Sequence, residues 1–150
     1  FCIRYKSEKE CRELVDRYIE EHFELAELGF FDVLGHLGYT KRYMKRRGFD
    51  IGLEGHEDRL RELFRLLIQN GKGIELNTSG LRDTTGSTFP EKHVLKLYRE
   101  AGGEIITVGS DSHRTEDVGA NIEDACELLR EAGFEYVTVF KKRKPEFIKL

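Results

Sequence analysis

Tryptophan is absent from this 150-residue chain, proline occurs twice, methionine once and cysteine three times. So little proline excludes a proline-rich linker, and with no low-complexity tract the length fits a single domain over residues 1–150. The cysteines, Cys2, Cys11 and Cys126, are odd in number and widely spaced with no Cys-x-x-Cys, which excludes a disulfide framework and suits reduced core thiols in a cytoplasmic protein. Long apolar runs are missing too. The longest are short stretches such as Val137-Thr138-Val139-Phe140, far below the roughly 20 residues a membrane-spanning helix needs, so no membrane partner is expected. Nor is there an excess of one charge: 25 Lys and Arg face 28 Asp and Glu for a net −3. A general nucleic-acid binder needs a clear basic surplus, so nucleic acid is not expected as a partner, although a local basic loop can still hold one phosphate. No signal-peptide pattern opens the chain; it begins at Phe1 and its methionine is Met44, as in a piece of a longer protein.

What is present is an alternation of helical and strand patterns. Apolar residues at helical spacing from Ser7 to Leu28, with Ser7 and Glu10 set as a capping box and Gly29 as a stop, predict a first helix. Phe30 to Gly35 reads as a short buried strand, and Tyr39 to Gly52 as a basic, irregular stretch. His56 to Gln69 is helical, Gly73 to Asn77 a strand, and Thr78 to Phe89 a loop rich in Thr, Ser and Gly. Pro90 suits the first position of a helix running to Gly102. Glu104 to Gly109 is a strand, Ile122 to Ala132 a helix, and Glu135 to Phe140 a last strand, with the Lys141 to Lys144 run as a solvated end. The order predicts an α/β fold of parallel strands covered by helices, an open doubly wound sheet or part of a barrel. Functional groups then belong beyond the carboxyl ends of the strands.

Three strand ends there carry unusual polar residues: Gly35-His36-Leu37, Glu75-Leu76-Asn77-Thr78-Ser79-Gly80-Leu81-Arg82, and Gly109-Ser110-Asp111-Ser112-His113-Arg114. Asp111 and His113 stand two apart, so in extended backbone their side chains share one side and can converge on one ion. Imidazole nitrogen and carboxylate oxygen are zinc ligands and also suit iron or manganese. Alone, an Asp-x-His is more often a turn with a solvated histidine, and His36 a strand cap. Together, at strand ends of one α/β chain, they point to a metal site of His36, Asp111 and His113.

The runs Phe31-Asp32-Val33-Leu34-Gly35-His36-Leu37, Ile74-Glu75-Leu76-Asn77-Thr78-Ser79-Gly80-Leu81-Arg82 and Val108-Gly109-Ser110-Asp111-Ser112-His113, with Phe140-Lys141-Lys142-Arg143-Lys144-Pro145 at the end, resemble the histidinol-phosphatase branch of the polymerase-and-histidinol-phosphatase (PHP) superfamily. The resemblance implies a distorted seven-stranded, TIM-like β/α barrel with a divalent metal cluster of Zn, Fe or Mn, and hydrolysis of the phosphomonoester L-histidinol phosphate in histidine biosynthesis. By the same resemblance His36, Asp111 and His113 are metal ligands, and Arg82 contacts substrate phosphate with Arg42 as its partner and Arg114 as a further candidate. Asp111 or His113 would protonate the leaving alcohol. Gly38 stands where many relatives have Asp. The family's N-terminal His-x-His is missing, since no two of His22, His36, His56, His93 and His113 are two residues apart. The chain therefore resembles the C-terminal half of such a barrel with its N-terminal strands missing, expected to be inactive or weakly active alone and to pair with the missing half or with itself.

Glu75 and Asn77 share one side of their strand and suit either recognition of the substrate's amino or imidazole end or a hydrogen bond to a ligand histidine. His22, His56 and His93 read as surface residues. Two other functions stay open: another phosphoesterase of the superfamily, and a non-catalytic α/β module that binds phosphorylated metabolites.

Overall fold

A computed structural model describes residues 6–150. Cys2 lies outside the described residues, Cys11 is a buried free thiol and Cys126 a half-buried one. Helix α1 spans Glu8–Leu28. The Ser7 hydroxyl accepts the Glu10 amide at 3.3 Å. Glu10 closes the cap one residue early, its carboxylate accepting the Lys6 amide at 2.8 Å. Gly29, at φ 64°, ends the helix with its N–H on the Leu25 carbonyl.

The buried face of α1 is Cys11, Val15, Ile19, His22 and Ala26. His22 is therefore not the surface residue expected from its acidic neighbours. It lies three residues after Ile19 and four before Ala26, on the same stripe, and is 5% exposed. Its Nδ1 is 2.5 Å from the Tyr18 carbonyl. Burial keeps the ring neutral and its pKa below the ordinary value, against the raising effects of that carbonyl and Glu21.

Strands β1 (Val33–Leu34), β2 (Gly73–Asn77) and β3 (Ile106–Gly109) form a parallel sheet in that order. Val33 pairs with Gly73, Ile74 with Ile106 and Asn77 with Gly109. β1 is shorter than the predicted Phe30 to Gly35, paired with β2 only at Val33 and Leu34, and His36 beyond it has left-handed backbone. The basic stretch expected to be irregular contains helix α2 (Thr40–Lys45), whose Lys41 and Met44 are buried. Helix α3 (Glu57–Gln69) buries Leu60, Leu63, Phe64 and Leu67 between α1 and helix α4 (Lys92–Glu100). Fully enclosed Phe64 and Tyr98 meet edge to face, 5.2 Å between centroids; burying each ring contributes about 2–3 kcal/mol. Pro90 is not the first helical residue of α4, because Glu91 is the N-cap.

Helix α5 (Ile122–Glu131) packs on β3 and leads into the last strand, β4 (Tyr136–Lys141). The sequence suggested a fourth parallel strand. Instead β4 pairs antiparallel with β5 (Lys144–Lys149), through a two-residue turn of Lys142 and Arg143 at φ 49° and 64°. Such a turn normally announces itself by Asn-Gly, so a Lys-Arg turn was invisible in the sequence. The hairpin joins β3 through the Ile106 amide, which donates to the buried Thr138 hydroxyl at 3.2 Å. Arg143 closes a charged contact with Asp32, which precedes β1, at 3.0 Å.

Candidate active site

The carboxyl ends of β1, β2 and β3 converge on one rim. His36 follows β1 with φ 60°. The Tyr18 hydroxyl of α1 donates to its carbonyl at 2.5 Å. The imidazole is half exposed, with Nε2 3.5 Å from Asp111 Oδ2 and Nδ1 3.8 Å from Glu75 Oε2. Asp111, two residues beyond β3, is also left-handed at φ 48°. Its convergence with His113 is thus a product of the loop rather than of extended backbone, and His113 Nε2 stands 3.4 Å from Asp111 Oδ1. Asp111 is the shared member: each histidine faces a different one of its oxygens. His113 remains 87% exposed.

Beneath them lies a braced floor from β2. Glu75 Oε2 accepts the His36 backbone N–H and the Asn77 side-chain amide, both at 3.3 Å. Asn77 is fully buried; its Oδ1 accepts the Ser79 amide at 2.9 Å and lies 2.6 Å from the Ser79 hydroxyl. That hydroxyl is also 3.2 Å from Asp111 Oδ2, with one proton to share between the two acceptors. Room for Glu75 comes from glycine on both flanking strands: a Cβ on Gly109 would sit 2.5 Å from Glu75 Oε1, and one on Gly35 3.2 Å from Oε2. Gly38 answers a different demand, backbone at φ 86°, which glycine adopts without strain.

The arginines differ in freedom. Arg42 is nearly enclosed, paired with Asp83 and donating at 2.7 Å to both the Tyr39 hydroxyl and the Ser79 hydroxyl. Burial raises the Asp83 pKa, but hydrogen bonds from Thr85 and the charge of Arg42 outweigh it and hold the carboxyl below its ordinary range. Arg82 reaches across to the third strand end, donating to the Ser110 carbonyl at 2.5 Å and pairing with Asp117 at 3.2 Å. Arg114 is largely exposed, with Glu116 4.0 Å away. Tyr18, Ser79 and Asp83 escaped the sequence reading. Ser79 and Asp83 left local signs, the Asn-x-Ser and Asp-x-Thr spacings in which an Asn or Asp side chain accepts the amide two residues on.

Among the described residues, Glu54, Glu91 and His93 bring metal-type donor atoms within 4.8 Å of one another. The cation already there is Lys41, 8% exposed, with Nζ 2.9 Å from Glu91 and 3.7 Å from Glu54. His56 is tied to Asp16 at 2.8 Å.

The rim's donors fit a divalent metal in pairs, His36 with Asp111 and His113 with Asp111, while the three do not bring one ligand atom each within 4.8 Å of one another. Donors bound at about 2.0–2.1 Å to one tetrahedral ion stand about 3.3–3.4 Å apart. The His36–Asp111 and His113–Asp111 separations of 3.5 and 3.4 Å are of that size and too long for good hydrogen bonds.

A parallel sheet alternating with helices, with its polar residues gathered at the strand ends, makes this an α/β protein that matches part of a PHP-type barrel. The chain is a homologue of the histidinol phosphatases. It is 31% identical over 140 residues to a probable histidinol-phosphatase of Thermotoga maritima, across 93% of this chain and 58% of that protein. With the histidinol-phosphatase of Lactococcus lactis subsp. lactis it shares 30% identity over 114 residues, 76% of this chain and 42% of that one. The crystal structure of the Lactococcus histidinol phosphate phosphatase complexed with zinc, L-histidinol and phosphate superposes with a TM-score of 0.74 at 26% identity, covering 91% of this chain and 52% of that one. The chain spans about half the length of the curated relatives it matches. No family model matches it. None of the described helices is long and apolar enough to cross a membrane.

Proposed function

We propose that the chain forms the phosphate-and-metal rim of a metal-dependent phosphomonoesterase acting on L-histidinol phosphate in the cytoplasm. The observation that carries this reading is the gathering of His36, Asp111 and His113 around the two oxygens of one carboxylate, in a chain homologous to proteins of that activity. His36 through Nε2, Asp111 through its oxygens and His113 through Nε2 would hold the metal, Zn, Fe or Mn. Bound there, a divalent metal supplies Lewis acidity and offsets the charge of the phosphoryl oxygens.

The chain's own cations have distinct tasks. Arg82, fixed by Ser110 and Asp117, would orient a phosphate oxygen through its planar fork. Arg42 would supply positive potential from behind Ser79, since its N–H groups are directed to Tyr39, Ser79 and Asp83. Arg114 would make the outermost contact. His113, the most exposed of the three donors, would hand its Nδ1 proton to the departing alkoxide, and Asp111 would be the alternative donor only with its carboxyl protonated instead of holding the metal. Relatives extend well beyond the matched stretch, and further ligands from such a segment, or from a second copy, would complete a cluster.

The test is metal content by elemental analysis together with histidinol phosphate turnover, on the chain and on Asp111→Ala/His113→Ala. Bound metal that disappears in the double variant supports the rim as a metal site. Turnover that disappears with it supports the phosphatase. Metal without turnover assigns the catalytic deficit to groups outside this stretch, and absence of metal binding from the intact chain leaves the phosphometabolite-binding module as the better reading.

A further inference from the structure

We infer that Glu75 is a positioning residue for His36, holding the imidazole with Nδ1 protonated so that Nε2 offers its lone pair to the space shared with Asp111. The inference deepens the metal-site reading above and rests on it. A neutral imidazole carries one proton, and a carboxylate beside one ring nitrogen draws the proton there and leaves the other nitrogen free to ligate. Glu75 Oε2 faces Nδ1 at 3.8 Å, beyond hydrogen-bond length, and Asp111 Oδ2 faces Nε2 at 3.5 Å, so each ring nitrogen has a carboxylate. A divalent ion between Nε2 and Asp111 would take up the Asp111 charge and leave Glu75 as the group that draws the ring proton, to Nδ1. The same oxygen accepts the backbone N–H of His36 at 3.3 Å, so one carboxylate addresses both the main chain and the ring of a single residue.

The surroundings keep Glu75 from swinging toward substrate. The Asn77 amide holds Oε2 from the side, and Asn77 is itself oriented by the Ser79 N–H on its Oδ1. Gly109 and Gly35 leave room for the carboxylate between the outer strands, and neither has positive φ, so what these positions supply is space rather than backbone freedom.

Zinc affinity and the ligating nitrogen of His36 together test this. Zinc titrations of the 150-residue chain are compared with Glu75→Ala, Glu75→Gln and His36→Ala, and the ring nitrogens of His36 are followed by 15N NMR in the zinc-loaded chain. Zinc on Nε2 with Nδ1 protonated is expected in the unaltered chain. Glu75→Ala should weaken zinc binding by about ten- to a hundredfold and mix the two ligation modes, with partial recovery in Glu75→Gln, whose carbonyl still accepts. Zinc on Nδ1 in the unaltered chain overturns the inference, a result that needs no variant to fold. Full zinc affinity with unchanged ligation in Glu75→Ala, when His36→Ala loses affinity, also overturns it while leaving the metal site standing. Equal affinity in His36→Ala and the unaltered chain sinks the metal reading of His36 and the inference with it.

Discussion

Arg42 and Asp83 form an ion pair that is nearly closed to water, their side chains 11% and 14% exposed. Removing one partner of such a pair strands the other charge in a poorly solvated place. Asp83→Ala is expected to lower stability by about 2–3 kcal/mol. Urea unfolding above pH 6 checks this, and a variant that unfolds with an unchanged midpoint would show the pair to be dispensable.

Glu75 and Gly109 make a second testable pair. Gly109→Ala pushes a methyl against a carboxylate that is braced elsewhere, at an expected cost of about 1–3 kcal/mol, and Gly35→Ala should cost less because its contact is longer. Combining Gly109→Ala with Glu75→Ala removes the clash. A double-mutant cycle in urea should therefore show strong coupling, and additive effects would refute the close approach.

The hairpin hangs on a hydroxyl. Thr138→Val keeps the shape but leaves the buried Ile106 amide without an acceptor, a loss of about 1–2 kcal/mol. Hydrogen exchange at Ile106 should quicken in the variant. Protection equal to that of the unaltered chain would mean another acceptor takes over.

His22 gives stability a pH dependence with a definite sign. Its pKa is lowered in the folded protein from about 6.5, so the unfolded chain binds the extra proton first. The stabilisation is complete above pH 6.5 and is lost as the pH falls through that value toward the folded pKa. The slope from this group cannot exceed about 1.4 kcal/mol per pH unit. His22→Gln, whose amide can still donate to the Tyr18 carbonyl, should flatten the urea midpoint between pH 7 and pH 5; an unchanged slope would assign the effect to other groups.

Local signals made most of the fold readable. Ser7 and Gly29 bracket α1 where capping chemistry puts them, and β2 runs from Gly73 to Asn77 as its composition suggested. His36, Glu75, Asn77 and Asp111 could be picked out because strand ends of an α/β sheet collect such residues, and the structure brings them within hydrogen-bonding or near-contact range. The unreadable part depended on distance in the chain. Asp83 finds Arg42 across 41 positions and Tyr18 finds His36 across 18, and no periodicity records such meetings. The Lys142-Arg143 turn was hidden for the opposite reason, since its conformation goes against the preference of both residues.

His36 and Asp111 sit in backbone that glycine adopts freely and that costs other residues about 1 kcal/mol apiece. A population of variants sorted only for heat resistance should drift toward glycine at these two codons. One sorted for zinc retention should hold imidazole and carboxylate there. The point at which the two populations part would mark, on the gene itself, where selection for durability and selection for zinc retention pull in different directions.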